Sequence, residues 1–250
     1  MITFGTLKYL SLHNMTLHEN LTRDHFMKIP SDKGRFIHQE HHRKLSNVPD
    51  SLDWRDHGVV GPVHNQQDCN SCWAFAAAGT MEYWLKKEQP DAEIDVQNVL
   101  DCAPRTFGCV GGLMEHAFEY NGYFPLHFNY NDKAGKCTLS DSGVHVDSFL
   151  SVEFHIEHSL AYMIHKWGPV SVAVDLTKQK KYKGGLIKAS ECTGKARHAV
   201  LAVGYTPEYW IVKNSMGIEW GDEGYAYIER GKKACGIETY ASVVTGITIK

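Results

Sequence analysis

The sequence predicts an α+β chain of two subdomains, a helical first half followed by a strand-rich second half. Three observations carry this. An Ala-rich run with bulky residues three or four apart occupies 72–85, and the β-branched and aromatic runs that read as strands all fall after residue 169. With 250 residues, 43% apolar and 11% aromatic, the chain can bury a large core.

Residues 1–47 are rich in His and charge, show little sustained periodicity, and read as a polar lead-in that turns at Pro49-Asp50 into Leu52-Asp53-Trp54. Ser71 is placed as an N-cap, and Trp73, Phe75, Ala76, Ala77, Ala78, Met81, Trp84 and Leu85 continue as a helix. Residues 94–102 suit a short helix ending near Pro104. Gly108-Cys109-Val110-Gly111-Gly112 is a tight loop that exposes backbone, and Leu113, Met114, Ala117 and Phe118 begin another helix. Residues 121–143 read as loop. A short amphipathic helix over 160–167 is stopped by Gly168-Pro169. Strands are predicted at 170–174, 198–204, 209–213, 225–228 and 243–249, with Pro207 in the turn between the second and third.

Composition excludes several classes. A formal charge of -3 and a pI near 6.6 give no basic footprint for nucleic acid. No stretch approaches the 18 apolar residues of a membrane span, and the polar interruptions in the first twelve residues argue against a signal peptide. Fifteen His residues turn the charge positive as pH falls through about 6.

The cysteines are seven: 69, 72, 102, 109, 137, 192 and 235. A zinc or redox reading takes Cys69-x2-Cys72 as one half-site, but Cys102 and Cys109 are spaced poorly for a second. Three disulfides and one free thiol is the more economical arithmetic, and the sequons at Asn14 and Asn20 agree with the oxidising compartment it implies.

Cys72 is the thiol expected to be left over. In the first turn of its helix it meets unpaired N–H groups and the positive end of the dipole, which favour the nucleophilic thiolate. Gln66 can point a neutral amide donor at the same place. A buried core Cys or half of a disulfide is the other reading of these residues alone. A nucleophilic thiol needs a base and the base an orienting group. His198 opens one predicted strand and Asn214 closes the next, so hairpin pairing brings them together, although a lone His is more often a surface residue.

The blocks in order now resemble the papain family of cysteine peptidases, with cathepsin L-like features. Pro49 through Trp54-Arg55 is similar to the mature start. Gln66 with Cys69-Asn70-Ser71-Cys72-Trp73 is similar to the oxyanion-hole glutamine and nucleophile, and Cys102 to Cys109 with Gly111-Gly112 to the next block. His198-Ala199-Val200 resembles the general base, Lys213-Asn214-Ser215 the orienting asparagine, and Trp220 to Tyr225 the closing segment.

The resemblance implies a papain-like peptidase domain over 48–250, with a helical left subdomain at about 57–153 and a barrel-like right subdomain at about 154–243 around a cleft. It implies pairing of Cys69 with Cys109, Cys102 with Cys137, and Cys192 with Cys235. Substrate-binding positions carried over are Asn70, Gly111, Gly112, Leu113, Met114, Ala173, Ala196, Ala199, Trp220 and Tyr240, the apolar ones forming an S2 pocket for a hydrophobic P2 residue. Peptide or protein substrates and cystatin-like inhibitors are the implied partners of a lysosomal or secreted monomer that uses no cofactor and no metal. Residues 1–47 resemble the tail of a prosegment without its charged helix, which points to an N-terminal truncation, and His13, His18, His25, His38, His41 and His42 suggest acid-triggered release.

Three departures from the family pattern stand out. Asn70 replaces a Gly on the S1 wall, where any positive φ becomes less comfortable. Met216 replaces a Trp that covers the Asn–His pair. Arg197, if aimed at the His198 ring, disfavours imidazolium and weakens or retunes the enzyme. An inactive homologue serving as a binding or antigenic surface is the alternative they support.

Overall fold

A computed structural model describes residues 34–35, 48–153 and 157–250. The sequons, the six histidines named above and, apart from 34–35, the expected prosegment remnant at 1–47 lie outside the described residues.

In chain order the elements are β1 (Gly34–Arg35), β2 (Leu52–Asp53), α1 (Cys72–Leu85), α2 (Val96–Cys102), α3 (Met114–Phe118), β3 (Val144–Glu153), α4 (Glu157–Trp167), β4 (Val170–Val174), β5 (Leu186–Ile187), β6 (His198–Tyr205), β7 (Tyr209–Lys213), β8 (Tyr225–Glu229) and β9 (Tyr240–Ile249). The α+β prediction holds. So do the helices at 72–85 and 94–102 and the strands at 170–174 and 209–213, to within a residue or two. β3 was not foreseen, β9 starts earlier than the expected 243, and β1, β2 and β5 are short pairings with no sequence signal.

The fold is built around α1. All of its residues but Phe75 and Trp84 are buried, as expected of a helix that is apolar all round. It lies against β6, α3 and β9. At Gly79 a Cβ would fall 2.5 Å from Leu201 Cδ2, so the missing side chain sets how closely α1 approaches β6. α2 is capped by the Asp95 carboxylate, which accepts from Asn98 N–H at 2.8 Å. Gly168, at φ +88°, ends α4 as predicted.

Ser71 behaves differently from expectation. It occupies the N-cap position of α1 but makes no side-chain cap bond. Its hydroxyl is engaged instead with Tyr130 Oη at 2.6 Å.

The strands form one sheet in the order β1-β3-β9-β4-β6-β7-β8-β5, with β2 added to β6. All pairings are antiparallel except β1 with β3 and β5 with β8. Two apolar cores sit on either side of the β3–β9 ribbon. Val144, Val146 and Phe149 of β3 and Val244 of β9 join the core of α1, α2 and α3. Leu150 of β3 and Ala241 and Val243 of β9 join the core of α4, β4, β6 and β7. Because Phe149 faces Val244 and Leu150 faces Val243 in register, successive residue pairs of one ladder serve opposite cores.

The disulfides are Cys69–Cys109, Cys102–Cys137 and Cys192–Cys235, and Cys72 is free and buried. Cys69 is therefore unavailable to a zinc or redox pair with Cys72, and that reading is set aside.

Candidate active site

Cys72 opens α1 and is 1% exposed. Its Sγ accepts the Ala199 N–H at 2.8 Å, which ties the start of the helix to the start of β6. Ser71 leaves the first turn without a hydroxyl cap, so the N-terminal N–H groups of α1 keep their pull on the sulfur.

The β6–β7 hairpin brings His198 and Asn214 together. Lys213 pairs with Leu201 in register, and the next residue, Asn214, lies beside His198 with Oδ1 at 2.6 Å from Nε2. Oδ1 also accepts the Ser215 backbone N–H at 2.9 Å. An atom that accepts from a main-chain N–H must be the amide oxygen, so the His198 Nε2 carries the proton and donates it. In the neutral ring Nδ1 is then the bare base, and it has no hydrogen-bond partner among the described residues. His198 and Asn214 are 5% and 3% exposed.

Gln66, 4% exposed, is clamped at both ends of its amide. Oε1 accepts the Ser215 hydroxyl at 2.7 Å, while Nε2 donates to the Cys69 carbonyl at 2.8 Å. One Nε2 hydrogen remains for another acceptor. The Gln66 main chain is held too, by its N–H on the Ser215 carbonyl at 2.8 Å and its carbonyl on Tyr130 Oη at 2.7 Å. Ser215 appeared in the sequence only as part of the Lys213-Asn214-Ser215 block, and nothing local flags Tyr130.

Burial acts on the two central groups in opposite senses. It pushes the Cys72 thiol up to about 12, against a lowering by the Ala199 N–H. It pulls the His198 imidazole down to about 4, against a raising by Asn214. Neither ionises alone under ordinary conditions. A proton passed from one to the other would give each ion the counter-charge it lacks.

The three departures resolve as follows. Asn70 is not among the positive-φ residues, so the foreseen strain is absent, and its N–H donates to the Cys109 carbonyl at 3.1 Å. Met216 is half-buried against the second core and bridges to Asn65. Arg197 is exposed and takes no part in the lowering of His198, which burial dominates, so the expected repulsion is not found.

The expected substrate positions divide. Ala173 and Ala199 face each other across β4 and β6, and Tyr240 begins β9 beside them. The Tyr240 hydroxyl faces the buried Glu115 carboxylate, lowering a pKa that burial raises. Ala196 is half-buried and Leu113 is buried with a small exposed area, but Met114 has none and backs the site instead of lining it. Gly111 departs from expectation because its N–H and carbonyl are used by Gly108 and Phe107, leaving Gly112 to present main-chain groups. A Cβ at Gly112 would fall 2.7 Å from the Trp73 ring. Trp220 also departs: it is buried in the second core and its indole N–H is spent on the Gln179 carbonyl at 3.0 Å. Among the described residues no group of three His, Cys, Asp or Glu could hold a metal, and no helix is long and apolar enough to cross a membrane.

Comparison with known proteins agrees with this geometry. Cysteine proteinase 3 of Solanum lycopersicum is 40% identical over 219 residues, covering 80% of this chain and 62% of that protein. The chain spans about six tenths of the length of the first curated relatives it matches, which cover 62% and 60%. Among solved structures, digestive procathepsin L2 proteinase from Tenebrio molitor larval midgut superposes with TM-score 0.74 at 38% identity, over 79% of this chain and 68% of that one. Bromelain protease from Ananas comosus, in complex with the E64 inhibitor, gives TM-score 0.72 at 35% identity, over 79% of this chain and 99% of that one. Residues 48–245 match the profile described as papain family cysteine protease, and the chain belongs to that family.

Proposed function

We propose that residues 48–250 form a cysteine endopeptidase domain in which Cys72 is the nucleophile and His198 the acid and base. The observation that carries this reading is the His198 ring, oriented through Nε2 by Asn214 and bare at Nδ1, one residue from the N–H that holds the Cys72 sulfur. The Cys72 thiol gives its proton to Nδ1, and the thiolate attacks the peptide carbonyl carbon. The resulting oxyanion accepts from the spare Gln66 Nε2–H and the Cys72 N–H, each donor worth about 3 kcal/mol in comparable sites. The C–N bond breaks as Nδ1–H protonates the departing amine. Water then loses a proton to Nδ1, attacks the thioester, and releases the acid and the Cys72 thiolate.

The small residues Ala173, Ala196 and Ala199, with Leu113 and the Tyr240 ring, favour a hydrophobic P2 side chain, and Gly112 suits an extended substrate backbone. Three disulfides support work in an oxidising compartment, lysosomal or extracellular. Peptides, proteins and cystatin-like inhibitors are the partners of such a cleft, and the chain is read as a monomer.

Treatment with an epoxide-type thiol inhibitor such as E64, followed by mass spectrometry, is expected to label Cys72 alone and stoichiometrically. Labelling elsewhere, or none, overturns the assignment. A peptide library is expected to show preference for Leu, Val or Phe at P2, and a preference for Arg or Glu there would refute the pocket reading.

A further inference from the structure

We propose that Tyr130 is a positioning residue for the oxyanion hole, acting through a hydrogen-bond chain from Ser71 to the Gln66 carbonyl. This rests on the peptidase reading above.

The direction of the chain follows from its chemistry. A carbonyl only accepts, so the single Tyr130 proton points at Gln66 O, 2.7 Å away. The Ser71 hydroxyl, 2.6 Å from Tyr130 Oη, is then the donor to Tyr130. Each bond in such a relay polarises the next. Burial raises the Tyr130 pKa above its ordinary value, so the hydroxyl stays protonated and remains a donor. Phe75 of α1 meets the Tyr130 ring edge-on at 4.8 Å and fixes its tilt.

The two proposed oxyanion donors stand on different stretches of chain. One is the Gln66 amide, and the other is the N–H of Cys72, which directly follows Ser71. Tyr130 is bonded to the residue that carries the first and to the neighbour of the second, so it spans the hole from behind. It also occupies the Ser71 hydroxyl, whose ordinary role as an N-cap would bring an acceptor oxygen over the first turn of α1. Ser215 holds the Gln66 amide through its hydroxyl and the Gln66 main-chain N–H through its carbonyl, and Tyr130 is the side chain that holds the Gln66 carbonyl, which also accepts the Cys69 N–H at 3.4 Å.

The test uses the full chain and two reactions at the same sulfur. Peptide amide hydrolysis passes through an oxyanion. Alkylation by iodoacetamide, in which the thiolate forms a C–S bond and iodide leaves, does not. Tyr130→Phe is expected to lower kcat about tenfold while KM and the alkylation rate stay within about twofold. Ser71→Ala is expected to lower kcat about threefold, and the double variant to fall no further than Tyr130→Phe, because the serine acts through the tyrosine. The proposal is overturned if kcat stays near wild type in both single variants, or if kcat and alkylation fall by the same factor, as a general loosening of the site would cause. Should Tyr130→Phe not fold, Ser71→Ala decides by the same comparison. A wild-type chain that neither cleaves peptides nor alkylates faster than a free thiol fails at the peptidase reading itself, before any variant is made.

Discussion

Replacing His198 by alanine is expected to lower kcat/KM for peptide hydrolysis about 10⁴-fold, with loss of thiol reactivity as the cause. The thiol of Cys72 is held up to about 12 by burial. Without an imidazole to take the proton, a thiol with that pKa is thiolate in roughly one molecule in 10⁵ at pH 7. Water entering the space left by the ring relieves part of the burial, which brings the expected loss toward the lower figure. The diagnostic measurement is alkylation of Cys72 against pH. In the variant its rate should climb about tenfold per pH unit through the alkaline range, whereas wild type should be fast and nearly flat near neutrality. A variant that alkylates within tenfold of wild type at pH 7 would show that the imidazole does not carry the proton.

The second large effect concerns stability in acid. His116 is buried on α3 with Nδ1 unpartnered among the described residues, and burial, then the Arg105 charge, pull its pKa down to about 4 from the ordinary 6.5. The unfolded chain takes up this proton as pH falls through about 6.5, and the folded chain only through about 4. The stabilisation is therefore complete above 6.5 and is lost between those values, about 3 kcal/mol in all. The charge that acts on it is that of Arg105, which is paired with Glu119. Glu115 has a raised pKa and works in the opposite sense, gaining stability as pH falls, so only a difference between variants isolates the histidine. Denaturant unfolding of wild type and His116→Gln at pH 7 and pH 4 is expected to show wild type losing about 3 kcal/mol more than the variant. Equal losses would place the acid sensitivity elsewhere.

Much of this site is legible along the chain because its parts are local. A thiol at a helix start, a His opening one strand and an Asn closing the next are each readable from a few residues, and a two-strand hairpin does the rest. What was missed depends on distance in sequence or on interrupted rhythm. Ser71 reads as a cap because its rival partner, Tyr130, lies 59 residues on. The clamp of Ser215 on Gln66 spans 149 residues. β3 escaped notice because its register shifts on both sides of Ser148, so the alternation of Val144 and Val146 breaks before Phe149 and Leu150 resume. Trp220 sits in a motif whose residue types gave no hint that its indole faces inward. Arg197 adjoins His198 in sequence, yet side chains of consecutive strand-end residues point apart.

The β3–β9 ribbon has a mechanical consequence. A cleft between two halves of a protein usually invites the image of a book that can be opened along its spine. Here the spine is a single ladder whose neighbouring rungs, Phe149 with Val244 and Leu150 with Val243, are anchored in different halves. Swinging the halves apart would shear those rungs against each other and drag apolar side chains out of both cores at once. The Ala199 N–H on the Cys72 sulfur adds a second tie, between α1 and β6, that the same motion would have to break.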